Sequence, residues 1–254
     1  MKLAVAGKGG VGKTTLTALL GEYLARRGQD VWLVDADTAL SLGPALGLTP
    51  DVIPTPLVAN TALIRERVGQ DGFIRLNPQV DDLPERLRVQ VNGMSLLVMG
   101  SVAGAGGGCA CAANSLVKAL LGHLVMGPGQ WVLVDLEAGV EHLGRGTVQS
   151  VDGLLVVSEP SLRGLQTAAH VARLARDLGL SRQALVLNRA AAESLPPDLH
   201  DLPPLAAVLP RLPSLEARQL ASASALGLAE RDMIDPICHA ILTALSGGEP
   251  VPEP

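Results

Sequence analysis

The apolar run Leu3-Ala4-Val5-Ala6, the segment Gly7-Lys8-Gly9-Gly10-Val11-Gly12-Lys13-Thr14-Thr15 and the helix-forming stretch Thr14–Arg27 follow one another without interruption. A strand that enters a helix through a glycine-rich turn leaves few folds open. The spacing G-x-x-x-x-G-K-[ST], from Gly7 to Thr14, lets backbone N–H groups of Gly9, Gly10, Val11 and Gly12 turn inward on the β- and γ-phosphates of a nucleotide. The N-terminus of the following helix adds the positive end of its dipole. Lys13 counters phosphate charge, Thr14 offers a hydroxyl to Mg²⁺, and Thr15, directly after the motif, is counted with them as nucleotide-binding. A merely flexible glycine turn is disfavoured, because motif and flanking pattern agree.

Further apolar runs recur at Val31–Val34, Leu96–Met99, Val132–Val134, Leu154–Val157, Ala184–Leu187 and Ala206–Leu209. Their hydrophobicity is continuous rather than alternating, as in strands buried on both faces. Between them lie helical patterns at Asn114–Val125, Leu162–Leu178, Ser214–Leu226 and Met233–Leu245. This alternation predicts an α/β fold with a doubly wound, mainly parallel sheet flanked by helices, and ligands at the C-terminal ends of its strands. Residues 1–246 are expected to form a single nucleotide-binding domain. Within it, 48–91 is rich in Pro and charge and reads as an insertion of loops and short helices. The tail 247–254 carries Val251 as its only apolar side chain and is expected to be disordered.

A net charge of −5 and a pI near 5.5 offer no broad basic surface for nucleic acid. One Phe and one Tyr leave little aromatic surface for stacking bases. Mean hydropathy is +0.32, yet no stretch of 18 residues is free of Gly, Pro or charge, so no membrane span is expected. Nor can Gly-Gly-Glu-Pro-Val-Pro-Glu-Pro form a basic amphipathic membrane helix. Three cysteines in a chain that opens without a signal segment are no disulfide framework, which points to a cytoplasmic protein.

Several strand ends carry polar residues. Val31–Val34 delivers Asp35-Ala36-Asp37 to the phosphate end of the sheet, and Trp131-Val132-Leu133-Val134 delivers Asp135, placed to hold Mg²⁺ through a water. The glycines of residues 136–146 suit a mobile switch, with Gly139 placed to sense the γ-phosphate through its N–H. With Lys8 just after the first glycine, the phosphate loop resembles the deviant Walker A class of P-loop NTPases: the ATPases of cell-division positioning, plasmid partition and arsenite transport, and the nitrogenase iron protein. That resemblance implies that Lys8 reaches the nucleotide of a partner chain. It also implies that Asp37 positions or activates the attacking water and that Asn188, which ends Ala184–Leu187, contacts adenine. For Asp37 and Asn188 a plain strand-end polar residue is the other reading; Asp35 reads as a support residue, with a plain strand-end polar residue as its alternative. His142 reads more readily as a solvated or capping side chain than as a ligand.

Gly106-Gly107-Gly108-Cys109-Ala110-Cys111 follows Leu96–Met99, again at the functional end of the sheet. Two thiolates one residue apart can face one soft metal but supply half of a tetrahedral shell, and a symmetric dimer would supply the rest. A disulfide between them would close a strained ring. Cys238 lies among Ile234, Ile237, Ile241 and Leu242 at helical spacing and reads as core. The C-x-C loop, the phosphate loop, Leu76-Asn77-Pro78-Gln79-Val80-Asp81-Asp82 and residues 137–147 together resemble the carbon monoxide dehydrogenase accessory ATPases, the nickel-insertion maturation factors. The resemblance runs to about Leu245; it departs at Ala112-Ala113, where such proteins often carry Pro-Glu. It implies a homodimer that hydrolyses ATP to ADP with Mg²⁺, binds Ni²⁺ or Zn²⁺ through Cys109 and Cys111, and serves apo carbon monoxide dehydrogenase; the acidic balance and the tail leave neither nucleic acid nor membrane as an expected partner. An iron-protein-like electron carrier with an interfacial iron–sulfur cluster is one alternative. A partition or positioning ATPase is another, and the acidic balance counts against it.

Overall fold

The computed structural model describes residues 1–69, 75–101, 110–124, 127, 129–137, 150–191, 195–196 and 198–248. Eight strands form one sheet: β1 (Lys2–Ala6), β2 (Asp30–Ala36), β3 (Val89–Val91), β4 (Met94–Val98), β5 (Gln130–Leu136), β6 (Gly153–Ser158), β7 (Gln183–Asn188) and β8 (Leu205–Leu209). Their order is β3-β4-β2-β5-β1-β6-β7-β8, parallel throughout except for the antiparallel edge pair β3–β4. All seven apolar runs of the sequence are strands. The eighth strand, β3, lies in the segment expected to hold only loops and short helices; its burial is partial, so no apolar run announces it.

Side-chain alternation sorts the sheet's residues onto two cores. Leu3, Val5, Leu33, Leu133, Leu155 and Val186 face one side and pack with α1 (Lys13–Ala25), α2 (Leu42–Ala45) and the C-terminal helix Arg231–Ser246. Ala4, Ala6, Val34, Val134, Val156 and Leu187 face the other, against α3 (Thr61–Val68), α4 (Leu83–Leu87), α5 (Ala110–His123) and α6 (Leu162–Asp177). Cys238 is fully buried in the first of these cores, and its burial raises the thiol pKa well above the usual range. Among the described residues no helix is long and apolar enough to cross a membrane.

Two helices differ from expectation. The helix expected at Asn114 begins at Ala110, so Cys111 stands in a helical first turn rather than in a loop. Ala110, Ala112 and Ala113 favour that extension, since alanine loses no side-chain entropy in a helix. The helix expected over Ser214–Leu226 is the short α7 (Pro213–Arg218). Its last residue turns back, with the Arg218 guanidinium donating to the carbonyls of Leu226 and Gly227. The C-terminal helix, α8 (Arg231–Ser246), runs as expected and ends on Gly247 in the left-handed region. Residues 249–254 of the expected tail lie outside the described residues.

The join between β1 and the phosphate loop is sterically exacting. Gly7 has φ 148°, and a Cβ there would fall 2.1 Å from the carbonyl oxygen of Val157 on β6. A Cβ on Gly9 would meet nothing within 4 Å. Gly7→Ala is therefore expected to lose about 2 kcal/mol or more in urea denaturation through strain and overlap, while Gly9→Ala should stay within about 0.5 kcal/mol. Equal losses would refute this account of how the loop is seated.

Candidate nucleotide site

Five neighbouring parallel strands, in the order β2-β5-β1-β6-β7, end at the same edge of the sheet. β1 supplies the phosphate loop. Gly12, with φ 96°, caps α1, so the helix starts at Lys13 and points its free N–H groups into the loop. Lys13 is 5% exposed, and its Nζ lies 3.5 Å from the Lys8 carbonyl. Lys8 itself is exposed.

Strand register brings the acids together. Asp35 on β2 stands opposite Asp135 on β5, and Val5 of β1 flanks Asp135 on the other side. Thr14 donates its hydroxyl to Asp135 Oδ2 at 2.6 Å, across 121 residues of sequence. Asp135 Oδ1 is buried with no hydrogen-bond partner among the described residues. A carboxylate oxygen so placed beside a threonine hydroxyl fits a hydrated divalent cation. Asp35 is committed elsewhere. Its two oxygens accept from the backbone N–H groups of Asp37 (3.2 Å) and Leu42 (3.0 Å), and its carbonyl accepts from Met99 and Gly100. It therefore shapes the β2 loop, the support role anticipated for it. Asp37 is 9% exposed, and its Oδ1 accepts from the Ala39 N–H at 2.8 Å.

On the far side of the phosphate loop lies a cleft of about 470 Å³ lined by Gly12, Thr15, Asn188 and Leu212 among others. Its size suits a nucleoside. Asn188 forms part of its wall, donating from Nδ2 to the Val11 carbonyl at 2.7 Å and accepting on Oδ1 from Arg189 N at 2.9 Å. Arg189 pairs with Glu159 at 2.6 Å across the cleft mouth. Glu159, Arg189 and the 209–219 segment carry no site motif in the sequence; their one signal is position at or just beyond a strand's C-terminal end.

Cys109 and Gly139 lie outside the described residues, as does His142. Cys111 is a free, exposed cysteine, and the Ser115 hydroxyl donates to its carbonyl at 3.0 Å. Because β4 runs parallel to β2, the start of α5 lies at the same end of the sheet as the nucleotide loop. Among the described residues no three His, Cys, Asp or Glu side chains converge as a metal set.

Desolvation dominates the site's electrostatics. Burial pushes Asp135 up to about 7, aided by Asp35 and Asp37 and opposed by the Thr14 hydrogen bond and Lys13. It pushes Asp35 up to about 6, against the Leu42 and Asp37 backbone bonds. Burial also lowers Lys13, with Asp135, Asp37 and Glu137 pulling it back. Both aspartates thus hold protons in the folded state at pH values where the unfolded chain, with carboxylates near 3.8, has lost them. Their contribution to stability is complete below the unfolded value and is lost as pH rises through about 6 and about 7. Asp135→Asn, which cannot ionise, should raise the melting temperature of the nucleotide- and Mg²⁺-free protein by about 2–6 °C at pH 8, and by distinctly less at pH 5. Calorimetric shifts of the same size at both pH values would rule out ionisation as the cause.

Comparison with known proteins agrees with this geometry. The model of the CobQ/CobB/MinD/ParA nucleotide binding domain matches residues 2–220. The carbon monoxide dehydrogenase accessory protein CooC of Rhodospirillum rubrum is 44% identical over 199 residues, 76% of this chain and 75% of that protein. An uncharacterised ATP-binding protein of Methanocaldococcus jannaschii is 37% identical over 198 residues, 76% of each chain. Among solved structures, the MinD cell division protein of Aquifex aeolicus superposes with a TM-score of 0.67 at 22% identity, covering 100% of this chain and 99% of that one. A ParA family ATPase of Chlorobium tepidum gives 0.67 at 18% identity, over 96% of this chain and 98% of that one. These two show the fold alone.

Proposed function

The chain belongs to the CobQ/CobB/MinD/ParA nucleotide-binding family and is an ATPase, and we propose that it is an accessory ATPase of carbon monoxide dehydrogenase that spends ATP on nickel insertion. The observation that carries this reading is the 44% identity with the Rhodospirillum rubrum accessory protein across three quarters of both chains. The exposed Cys111, at the nucleotide end of the sheet, supports it. In the proposed working state two chains form a homodimer. Cys109 and Cys111 of each chain hold one Ni²⁺ or Zn²⁺ between them, and apo carbon monoxide dehydrogenase receives the metal.

Hydrolysis is assigned to this chain's own residues. Gly9 to Gly12 and Thr15 surround the phosphates with N–H groups, and Lys13 neutralises charge as it develops on the transferred phosphoryl group. Thr14 and Asp135 would hold Mg²⁺, which neutralises the β- and γ-phosphate oxygens when bound. Asp37 orients the attacking water: its Oδ1 is engaged by the Ala39 N–H, and its Oδ2 has no hydrogen bond among the described residues. Gly139 senses the γ-phosphate, and Asn188 lines the base cleft. Lys8, which is exposed, reaches the partner chain's phosphates in the proposed dimer. Coupling requires that ATP and ADP states hold nickel with different affinity, since a ligand shifts an equilibrium only by its differential binding.

Asp37→Ala should retain ATP binding while turnover falls by about 10²-fold or more. Unchanged turnover would remove Asp37 from the mechanism. The metal reading is tested by elemental analysis of anaerobically prepared protein with Ni²⁺ and ATP. One metal per two chains is expected, lost in Cys109→Ser or Cys111→Ser with nucleotide binding intact. Those variants should also fail to activate apo carbon monoxide dehydrogenase. Metal retained at one per chain after both replacements, or iron and sulfide in place of nickel, would overturn the nickel-carrier reading.

A further inference from the structure

A loop that turns its N–H groups inward on phosphates must turn carbonyls outward, and a carbonyl withdrawn from water needs a donor there. For this phosphate loop the donors come from the end of β7. Asn188 Nδ2 donates to the buried Val11 carbonyl at 2.7 Å, joining residues 177 apart in sequence. Arg189 Nη1 lies 3.5 Å from the Gly10 carbonyl. A Cβ on Gly12 would fall 2.3 Å from Asn188 Nδ2, so the amide rests directly against the backbone at Gly12. Three successive loop residues are thus braced from one strand end.

The brace is itself held in place. Asn188 is 7% exposed, and its Oδ1 accepts from Arg189 N at 2.9 Å. Its amide orientation follows, because the reversed amide would set oxygen against the Val11 carbonyl and nitrogen against an N–H. Arg189 occupies the left-handed region at φ 57°, uncommon for a residue with a side chain. Its guanidinium is tied to Glu159 Oε1 at 2.6 Å, on the loop that follows β6. Strain of this kind persists where surrounding structure over-determines it.

We propose that Asn188 and Arg189 form a clasp that sets the phosphate loop in its ligand-ready shape, with Asn188 a positioning residue for the phosphates whatever base they carry. This rests on the nucleotide reading above and adds to it. One donor and one acceptor site of Asn188 are already spent on the protein, so a base can engage only what remains. The pair therefore acts on the triphosphate end of the ligand. The ion pair to Glu159 links the loops that follow β6 and β7, so the rim of the cleft is part of the same brace.

Inorganic tripolyphosphate, which has no base, separates this role from base recognition. Affinities for Mg²⁺-tripolyphosphate, MgATP and MgGTP are measured by calorimetry on the wild type, Asn188→Ala, Asn188→Asp and Arg189→Gln. Asn188→Ala should weaken all three by a common factor of about 10. Asn188→Asp should be weaker still, because its carboxylate faces the Val11 carbonyl. The KM for ATP should rise by a similar factor, with a smaller change in kcat. Tripolyphosphate affinity that is unchanged while ATP affinity falls would overturn the clasp and leave Asn188 a reader of the base alone. Arg189 is 43% exposed at its side chain, so Arg189→Gln should fold even if the Asn188 variants do not. It should lose about 2- to 5-fold on every ligand, and an unaltered tripolyphosphate affinity there would equally overturn the proposal. A wild type that binds neither tripolyphosphate nor ATP would instead sink the nucleotide reading itself.

Discussion

Charge taken out of water is the constraint around which this molecule is arranged. Asp135, wholly buried on a central strand, keeps one oxygen on Thr14 and the other without a partner among the described residues. Lys13 is nearly as buried, and Asp35 lies beside Asp135 in register. An apolar core of the same volume would be easier to form, since buried ionisable groups lose solvation that their mutual attraction restores only in part. The parallel sheet makes the arrangement possible. Its two apolar layers are extensive enough to hold five strand ends rigidly at one edge, each end delivering a polar group the core would otherwise reject. A divalent cation bound there would bring positive charge to Asp135, and a nucleotide's phosphates would bring negative charge to Lys13.

Because the loop sits in this field, its backbone must be fixed by contacts that do not compete with the ligand. Gly7 is pressed on the β6 carbonyl of Val157, while Val11 and Gly12 meet Asn188 on β7. β1 is bordered directly by β6, and β7 is one strand further out. The phosphate loop therefore depends on the correct assembly of three neighbouring strands, and strands distant in sequence become part of its shape. The short α7 and the rest of the 209–219 segment line the cleft, so its wall includes the chain that follows edge strand β8.

The start of α5 gives the functional reading a physical form. A cysteine in a helical first turn has its position set by the helix, whereas a loop cysteine is free to adapt. The backbone at Cys111 is thereby set by α5. Lys8 is exposed as well, and in the proposed dimer both residues would act toward the second chain.

By itself the sequence determined the strands and their burial, since continuous apolar runs between helical periodicities admit little but a parallel sheet covered on both faces. It also determined the phosphate loop, whose glycine and lysine spacing is a local property of consecutive residues, and the acids at the ends of β2 and β5. Edge strand β3, half-exposed and three residues long, left no periodic trace. The starting turn of α5 was hidden because alanines and a cysteine next to glycines fit loop and helix alike. Only the tertiary structure decided that Asp35 supports backbone while Asp135 keeps a free oxygen, and that Asn188 grips the loop as well as lining a cleft. Those assignments rest on register between strands remote in sequence and on which groups lose their water. Neither is a property of any short segment, so neither could be read along the chain.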